Sequence, residues 1–217
     1  MMRPSQACIN MIKQQLRTNN INDEALLALY NHYPREKFLP DNYQAFAYVD
    51  MHIPIDENQV MLTPLEEAKI LQSGQFKPED KVLVLGSGHT YLIGLLSYLC
   101  ANVKVIDTSA EQIVATKKCF KKQKISHVDL MVCDSYELTA TPEEFDAIIC
   151  PAAVSQIPTS WFNNLKPNGK LFVSLGEDVQ HAQWLHLDAK KVAGHEFVFS
   201  THLPRLPQLQ VESKFIF

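Results

Sequence analysis

From residue 81 onward the chain alternates short apolar runs with longer amphipathic segments. The runs near 81–86, 103–107, 128–133, 145–150 and 169–175 are rich in Val, Ile, Leu and Phe, and helix-length segments separate them. Near-continuous apolar strands alternating with helices predict a parallel sheet wrapped by helices on both faces, a doubly wound α/β fold. Leu165-Lys166-Pro167-Asn168-Gly169 reads as a turn feeding the fifth strand. After Gly176 come a polar segment and two more strand candidates, 196–200 and 211–217, which complete a mostly parallel seven-stranded sheet in antiparallel fashion.

The period differs before residue 63. Residues 4–34 read as helical, with Ile9, Ile12 and Leu16 at helical spacing, then Asn22 as N-cap before the Leu26, Leu29, Tyr30, Tyr33 stripe that Pro34 ends. Residues 35–62 carry several prolines and no strong period, which predicts an extended connector with strand-like pieces around Tyr48 and Ile53-Pro54-Ile55. Thr63-Pro64-Leu65-Glu66 has the form of a helix start: Thr63 as N-cap, Pro64 in the first helical position, Glu66 closing a capping box. The expected division is a helical and connector extension over 1–62 and an α/β domain over 63–217, forming one compact unit, as 217 residues suit one main domain.

Candidate chemistry sits where the first strand of that sheet ends. Lys81-Val-Leu-Val-Leu-Gly-Ser-Gly-His-Thr-Tyr91 is an apolar run, a Gly-x-Gly turn and a second apolar segment. Gly86 admits backbone angles closed to other residues, and Gly88 lets the chain approach a ligand with no Cβ in the way. Asp107 ends the next apolar run 21 positions after Gly86, where a doubly wound fold places an acid on a ribose. The pair points to a nucleotide-like cofactor; the alternative is an ordinary strand-to-helix turn.

Charge and composition narrow the partners. A net charge of −4, with Lys117-Lys118 and Lys121-Lys122 the densest basic pairs, argues against nucleic acid. No run approaches the roughly 18 apolar residues that span a bilayer, and no signal-peptide pattern opens the chain, so the expectation is a cytoplasmic protein off the membrane. Five cysteines without a Cys-x-x-Cys pair read as buried free thiols in a reducing compartment. Eight scattered histidines lack metal spacing, so no metal site is expected.

Several blocks carry a family resemblance: Gln14-Gln15-Leu16-Arg17, Ile21-Asn22-Asp23-Glu24, Pro34-Arg35-Glu36-Lys37-Phe38-Leu39-Pro40, Tyr48-Val49-Asp50, Ile53-Pro54-Ile55, Phe145-Asp146-Ala147-Ile148-Ile149, Ala152-Ala153, Ile157-Pro158 and 165–171. The order of elements resembles class I S-adenosylmethionine-dependent methyltransferases with their Rossmann-like sheet, and the N-terminal blocks resemble the protein-L-isoaspartate O-methyltransferases. The resemblance implies methylation of the α-carboxylate of isoaspartyl residues in damaged proteins, beginning repair through a succinimide. It implies a cofactor, S-adenosylmethionine, leaving as S-adenosylhomocysteine. Gly86, Ser87 and Gly88 would form the cofactor loop, Asp107 would hold the ribose hydroxyls, and Asp134 with Ser135 would border the adenine.

The chain departs from the family in two places. The family's substrate block, Gly-His-Gly-Gln-Thr-Ile-Ser-Gln-Pro, falls on residues 56–64, where only Gln59 and Pro64 survive; Val60 and Leu62 replace two hydroxyls and Glu57 replaces the His. Gln59 and Thr63 are therefore the catalytic candidates, Thr63 because a one-residue shift brings its hydroxyl near the missing Ser, with helix capping as its alternative role. In the cofactor loop, Val84 stands for an acid and Thr90 for the third glycine. The acceptor carboxylate is already ionised at neutral pH, so the reaction needs alignment and no general base. Two readings follow: an impaired isoaspartyl methyltransferase, or an inactive relative that binds a ligand or partner. A nucleic-acid methyltransferase is disfavoured by the acidic balance and by Cys150-Pro151-Ala152-Ala153 where an Asn/Asp-Pro-Pro-Tyr block would stand. The sequence leaves the oligomeric state open.

Overall fold

The computed structural model describes residues 5–138 and 143–206. Helix α1 (Gln6–Met11) passes into a wider turn over Ile12–Leu16 and is followed by α2 (Glu24–His32). Asp23, and not Asn22, caps α2: its carboxylate accepts the N–H groups of Ala25 and Leu26 at 2.9 and 3.0 Å. The backbone N–H of Asn22 instead donates to Gln72 at 2.8 Å. A negative cap also complements the partial positive charge of the helix start.

The connector is coiled where an extended chain was expected. Arg35–Phe38 and Asp41–Phe46 are 3₁₀ turns, and the piece around Tyr48 is turns and bends. Pro34 and Pro40 stand just ahead of these two segments and leave space for single tight turns only. Strand β1 (Ile53–Pro54) pairs with β2 (Val60–Met61) as a small antiparallel hairpin.

The main sheet grows from β3 (Lys81–Leu85), β4 (Asn102–Asp107), β5 (Val128–Val132), β6 (Phe145–Val154), β7 (Leu165–Leu175), β8 (Gln180–Asp188) and β9 (Lys191–Thr201) in the order β5-β4-β3-β6-β7-β8-β9. Pairs from β5 to β7 are parallel, and β7-β8 and β8-β9 are antiparallel. The chain leaves β3 toward β4 and later returns to its other side with β6, so the sheet's direction of growth reverses at β3, where open α/β sheets place their ligands. The seven-stranded, mostly parallel sheet is thus as expected, but its last strands differ. The segment read as polar after Gly176 is strand β8, whose polar His181, Gln183 and His186 interleave with buried Ala182, Trp184 and Leu185 and mask the apolar run. The candidate at 196–200 lies within β9, and 211–217 lies outside the described residues.

Helices α3 (Pro64–Gly74), α4 (Thr90–Leu99) and α5 (Ala110–Gln123) connect the early strands, and α6 (Thr159–Asn163) precedes β7. The sheet divides the core in two. Val82, Val84, Val103 and Val105 face α3, α4 and the extension's Leu16, Tyr30 and Phe38. Leu83, Leu85, Ile148 and Cys150 face a layer thinner in helix, filled by Trp161 of α6 and by Tyr136 and Leu138 of the loop after β5. Trp161 Nε1 donates to the Tyr136 carbonyl at 2.6 Å, tying that layer together.

One buried side chain clamps the extension to the sheet domain. Arg35 donates to Glu67 at 3.0 Å, to the Ala47 carbonyl at 2.9 Å and to the Leu62 carbonyl at 2.6 Å, with neither Arg35 nor Glu67 exposed. Burial pushes the Glu67 carboxyl up to about 7, against the pull of Arg35. All five cysteines are free. Among the described residues no helix is long and apolar enough to cross a membrane, and no cluster of three His, Cys, Asp or Glu side chains is placed to hold a metal.

Candidate functional site

The carboxyl ends of β3, β4 and β6 meet at the Gly86-Ser87-Gly88 loop. Gly86 turns the chain with φ +102°, a conformation that side-chain-bearing residues rarely adopt, while its N–H donates to the Ile106 carbonyl at 2.8 Å. Ser87 then turns both its N–H and its hydroxyl onto Asp107 Oδ2, each at 2.7 Å. The other oxygen, Oδ1, accepts the Ser109 N–H at 2.8 Å and the Tyr136 hydroxyl at 3.2 Å. A carboxylate offers about four lone-pair sites. All four are taken, and Asp107 is 0% exposed.

Gly88 makes the close approach its lack of a Cβ permits, but to the protein itself: an added Cβ would lie 2.7 Å from Ile55 and 2.9 Å from Gln112. Thr116 on α5 donates to the Ser87 carbonyl at 2.9 Å and pins the loop from that side. Thr90 opens α4, and its hydroxyl donates to the Phe38 carbonyl at 2.8 Å, so the residue in place of a glycine docks the connector onto the loop. Val84 lies on the helix-covered face of β3, fully buried, and does not face the crevice. Asp134 is exposed and Ser135 half-buried on the loop after β5, where Ser135 Oγ accepts the Glu137 N–H at 3.3 Å. The Cys133 N–H donates to the Asp107 carbonyl at 2.9 Å and keeps this loop beside β4.

The two catalytic candidates part company. Gln59 closes the β1–β2 hairpin, its carbonyl accepting the Ile55 N–H at 2.9 Å, and with Val60, His89 and Ala152 it lines a cavity of about 10 Å³ at the end of β6. That is space for about one water. Thr63 caps α3: its hydroxyl accepts the Glu66 N–H at 3.2 Å, and Glu66 accepts the Thr63 N–H at 3.0 Å. Leu62, where a hydroxyl would be expected, is wholly buried in the core.

Sequence reasoning missed two groups here. His89 is 3% exposed, its Nδ1 has no partner among the described residues, and burial pushes its pKa down to about 4, so it is neutral at pH 7. The signal was present, an imidazole directly after the Gly-x-Gly turn, but nothing local marks it as facing a cavity. Glu66 joins three elements by accepting His52 Nε2 at 2.7 Å and the Thr201 hydroxyl at 2.6 Å in addition to its cap. The Glu66 bond raises the pKa of His52, and burial, which raises the Glu66 carboxyl, is outweighed by His52, Thr201 and Thr63, which hold it below its usual value.

By residue type and place, the loop fits a nucleotide-like cofactor: a carboxylate at the end of β4 beside a positive-φ glycine turn at the sheet's switch point. In the form described its Asp107 side is closed, for Asp107 has no free lone pair and the cavity beside Gln59 and His89 holds about 10 Å³, whereas a separate cavity of about 370 Å³ opens on the other side of Gly88, against Phe38, Ile55 and Gln112.

Comparison with known proteins agrees with the fold and the resemblance. The profile of the family described as Protein-L-isoaspartate(D-aspartate) O-methyltransferase matches residues 7–202. A curated relative, the protein-L-isoaspartate O-methyltransferase of Opitutus terrae, is 31% identical over 185 residues, covering 84% of this chain and 78% of its own. A solved protein-L-isoaspartate O-methyltransferase superposes with TM-score 0.74 at 19% identity, covering 92% of this chain; the chain spans 65% of that protein's length. A Plasmodium falciparum chain assigned as a protein-L-isoaspartate O-methyltransferase, solved in complex with S-adenosyl-L-homocysteine, superposes with TM-score 0.73 at 17% identity, covering 95% of this chain and 99% of that one.

Proposed function

The chain belongs to the protein-L-isoaspartate(D-aspartate) O-methyltransferase family, and on that premise we propose that it transfers a methyl group to the carboxylate of isoaspartyl residues in damaged proteins, slowly. The proposed cofactor is S-adenosylmethionine, which supplies an electrophilic methyl group; its demethylated form is the ligand solved with the Plasmodium falciparum relative. Gly86, Ser87, Gly88, Asp107, Asp134 and Ser135 are the residues proposed to hold it. The observation that carries this reading is the placement of Asp107 at the end of β4, directly across from the Gly86-Ser87 turn.

The acceptor carboxylate is ionised near neutral pH, so this chain's task is to align it. Gln59 is assigned that role, with an amide that can donate toward the cavity it lines. Thr63 is assigned a supporting one: the cap uses its hydroxyl as an acceptor, which leaves the O–H free to donate. Val60 and Leu62 bring no hydroxyl, and a missing hydrogen bond to a charged group costs about 1.5–3 kcal/mol, on the order of tenfold to a hundredfold in rate. The five free thiols fit a reducing, cytoplasmic setting.

One observation favours a second reading, a non-catalytic member that binds a ligand or partner: Asp107 is saturated by the protein's own donors. Radiolabelled methyl transfer to isoaspartyl and aspartyl peptides, with calorimetric titration of S-adenosylhomocysteine, separates the two. Slow, isoaspartyl-selective transfer with measurable binding supports the enzyme; absence of both supports the binding module.

A further inference from the structure

The short segment after β9 crosses the carboxyl edge of the sheet. Leu203 is buried in the core on the helix-covered face, and Leu206 is buried in the core on the opposite face. Between them the backbone hydrogen-bonds to β6 at one residue among those described: the Ala153 N–H donates to the Pro204 carbonyl at 3.1 Å, and the Leu206 N–H donates to the Ala153 carbonyl at 2.8 Å. Pro204 has no N–H with which to extend this pairing. The near end is fixed more firmly, since Gln180 both accepts the Leu203 N–H at 2.7 Å and donates to its carbonyl at 2.9 Å. Among the described residues the result is a strap hinged at Leu203 and held beyond it by two backbone bonds and one buried leucine.

What the strap covers is the end of the candidate site. Pro204 and Leu206 close the small cavity whose other walls include Gln59 and His89, and beneath them His89 Nδ1 is left without a partner among the described residues. On the adjoining side the Tyr136 hydroxyl takes the last lone pair of Asp107. An unsatisfied buried nitrogen under a weakly attached cover is what a closed state leaves when a polar ligand is to take the covered place.

We propose that Leu203–Leu206 is a displaceable strap that, together with the Tyr136 hydroxyl, keeps the cofactor crevice shut, and that His89 is the polar group the cofactor meets once the strap lifts. The inference rests on the proposed function, since it takes the crevice to be the cofactor's. Apparent affinity is the open form's affinity multiplied by the fraction of molecules that are open. Loosening the cover therefore tightens binding without adding any contact.

The test is calorimetric titration with S-adenosylhomocysteine of the wild type, Leu206→Ala and Tyr136→Phe, each checked for folding by thermal melt. Tyr136→Phe keeps the ring packed and removes only the hydroxyl, so it serves if Leu206→Ala fails to fold. Amide exchange at Ala153 and Leu206 is followed with and without the ligand. The expected result is at least tenfold tighter binding by the variants, with faster exchange at both amides when the wild type is saturated. Equal affinity across all three proteins, with both amides still protected, overturns the strap and leaves the cofactor assignment standing. No binding by any of them overturns the cofactor assignment and the strap with it.

Discussion

Ser87 holds Asp107 through two donors on one carboxylate oxygen, its N–H and its hydroxyl each 2.7 Å from Oδ2. Asp107 is therefore a structural tie between the β3 and β4 ends even with no ligand present. Asp107→Asn puts an amide N–H₂ among four donors and leaves at least two of them buried and unpaired, at about 1–3 kcal/mol each. The ligand-free chain is expected to lose on the order of 3 kcal/mol in urea denaturation. An unchanged midpoint would show that the acid matters only to a ligand.

Position 62 cannot serve as a simple site of repair. Leu62 is wholly buried, and its carbonyl receives Arg35. Leu62→Ser should cost about 2–5 kcal/mol as a core truncation and bring no gain in methyl transfer. Val60 is half-buried and lines the small cavity beside Gln59, so Val60→Thr places its hydroxyl where an acceptor would be aligned. Methyl transfer to an isoaspartyl peptide should rise about tenfold or more with Val60→Thr alone. A rise with Leu62→Ser at an unshifted melting temperature would contradict this placement.

Arg35 and Glu67 make the clearest double-variant test. Arg35→Ala strands a buried carboxylate and two accepting carbonyls, and breaking a buried pair from one side costs about 3–5 kcal/mol. Replacing both partners with methionine removes the stranded charge, so the double variant is expected to be more stable than Arg35→Ala. Thermal melts of the three proteins decide it; a double variant less stable than the single one would show that the pair itself, and not the avoided orphan, holds the connector.

The sequence made the parallel half of the sheet legible because β3, β4, β6 and β7 are apolar enough to be buried on both faces, and the cap of α3 because Thr-Pro-x-Glu is a local signal. Strand β8 was hidden by the histidines and glutamine on its polar positions. The loop glycines and Asp107 were legible as a motif, but not the saturation of that carboxylate or the small cavity beside it, which depend on Tyr136 and Leu206 arriving from 29 and 99 positions beyond Asp107. Val84 stands where the family spacing puts an acid, and the two-residue period of β3 turns it into the core with Val82. Arg35 was visible only as part of a matching block, since an arginine that will be fully buried has no local signature.

The same burial that leaves His89 neutral makes the site sensitive to acid. Its folded pKa is pushed down by burial to about 4 from the ordinary histidine value of 6.5. Between those values the unfolded chain binds a proton at this position and the folded chain does not, so stability falls as pH drops from about 6.5 toward 4. At 1.36 kcal/mol per pH unit the loss from this one group is on the order of 3 kcal/mol. His52 works in the opposite sense, because the Glu66 bond raises its pKa and its contribution is complete below about 6.5 and lost as pH rises through the folded value. The wild-type profile is a sum of the two. The difference between wild type and His89→Gln isolates one of them: the variant is expected to gain on the wild type steadily from pH 6.5 to 4 in urea midpoints, and to keep a constant offset above pH 7. A constant offset across the whole range would mean that His89 takes up its proton in the folded chain as readily as in the unfolded one, and that the cavity beneath the strap is wet enough to hold the charge.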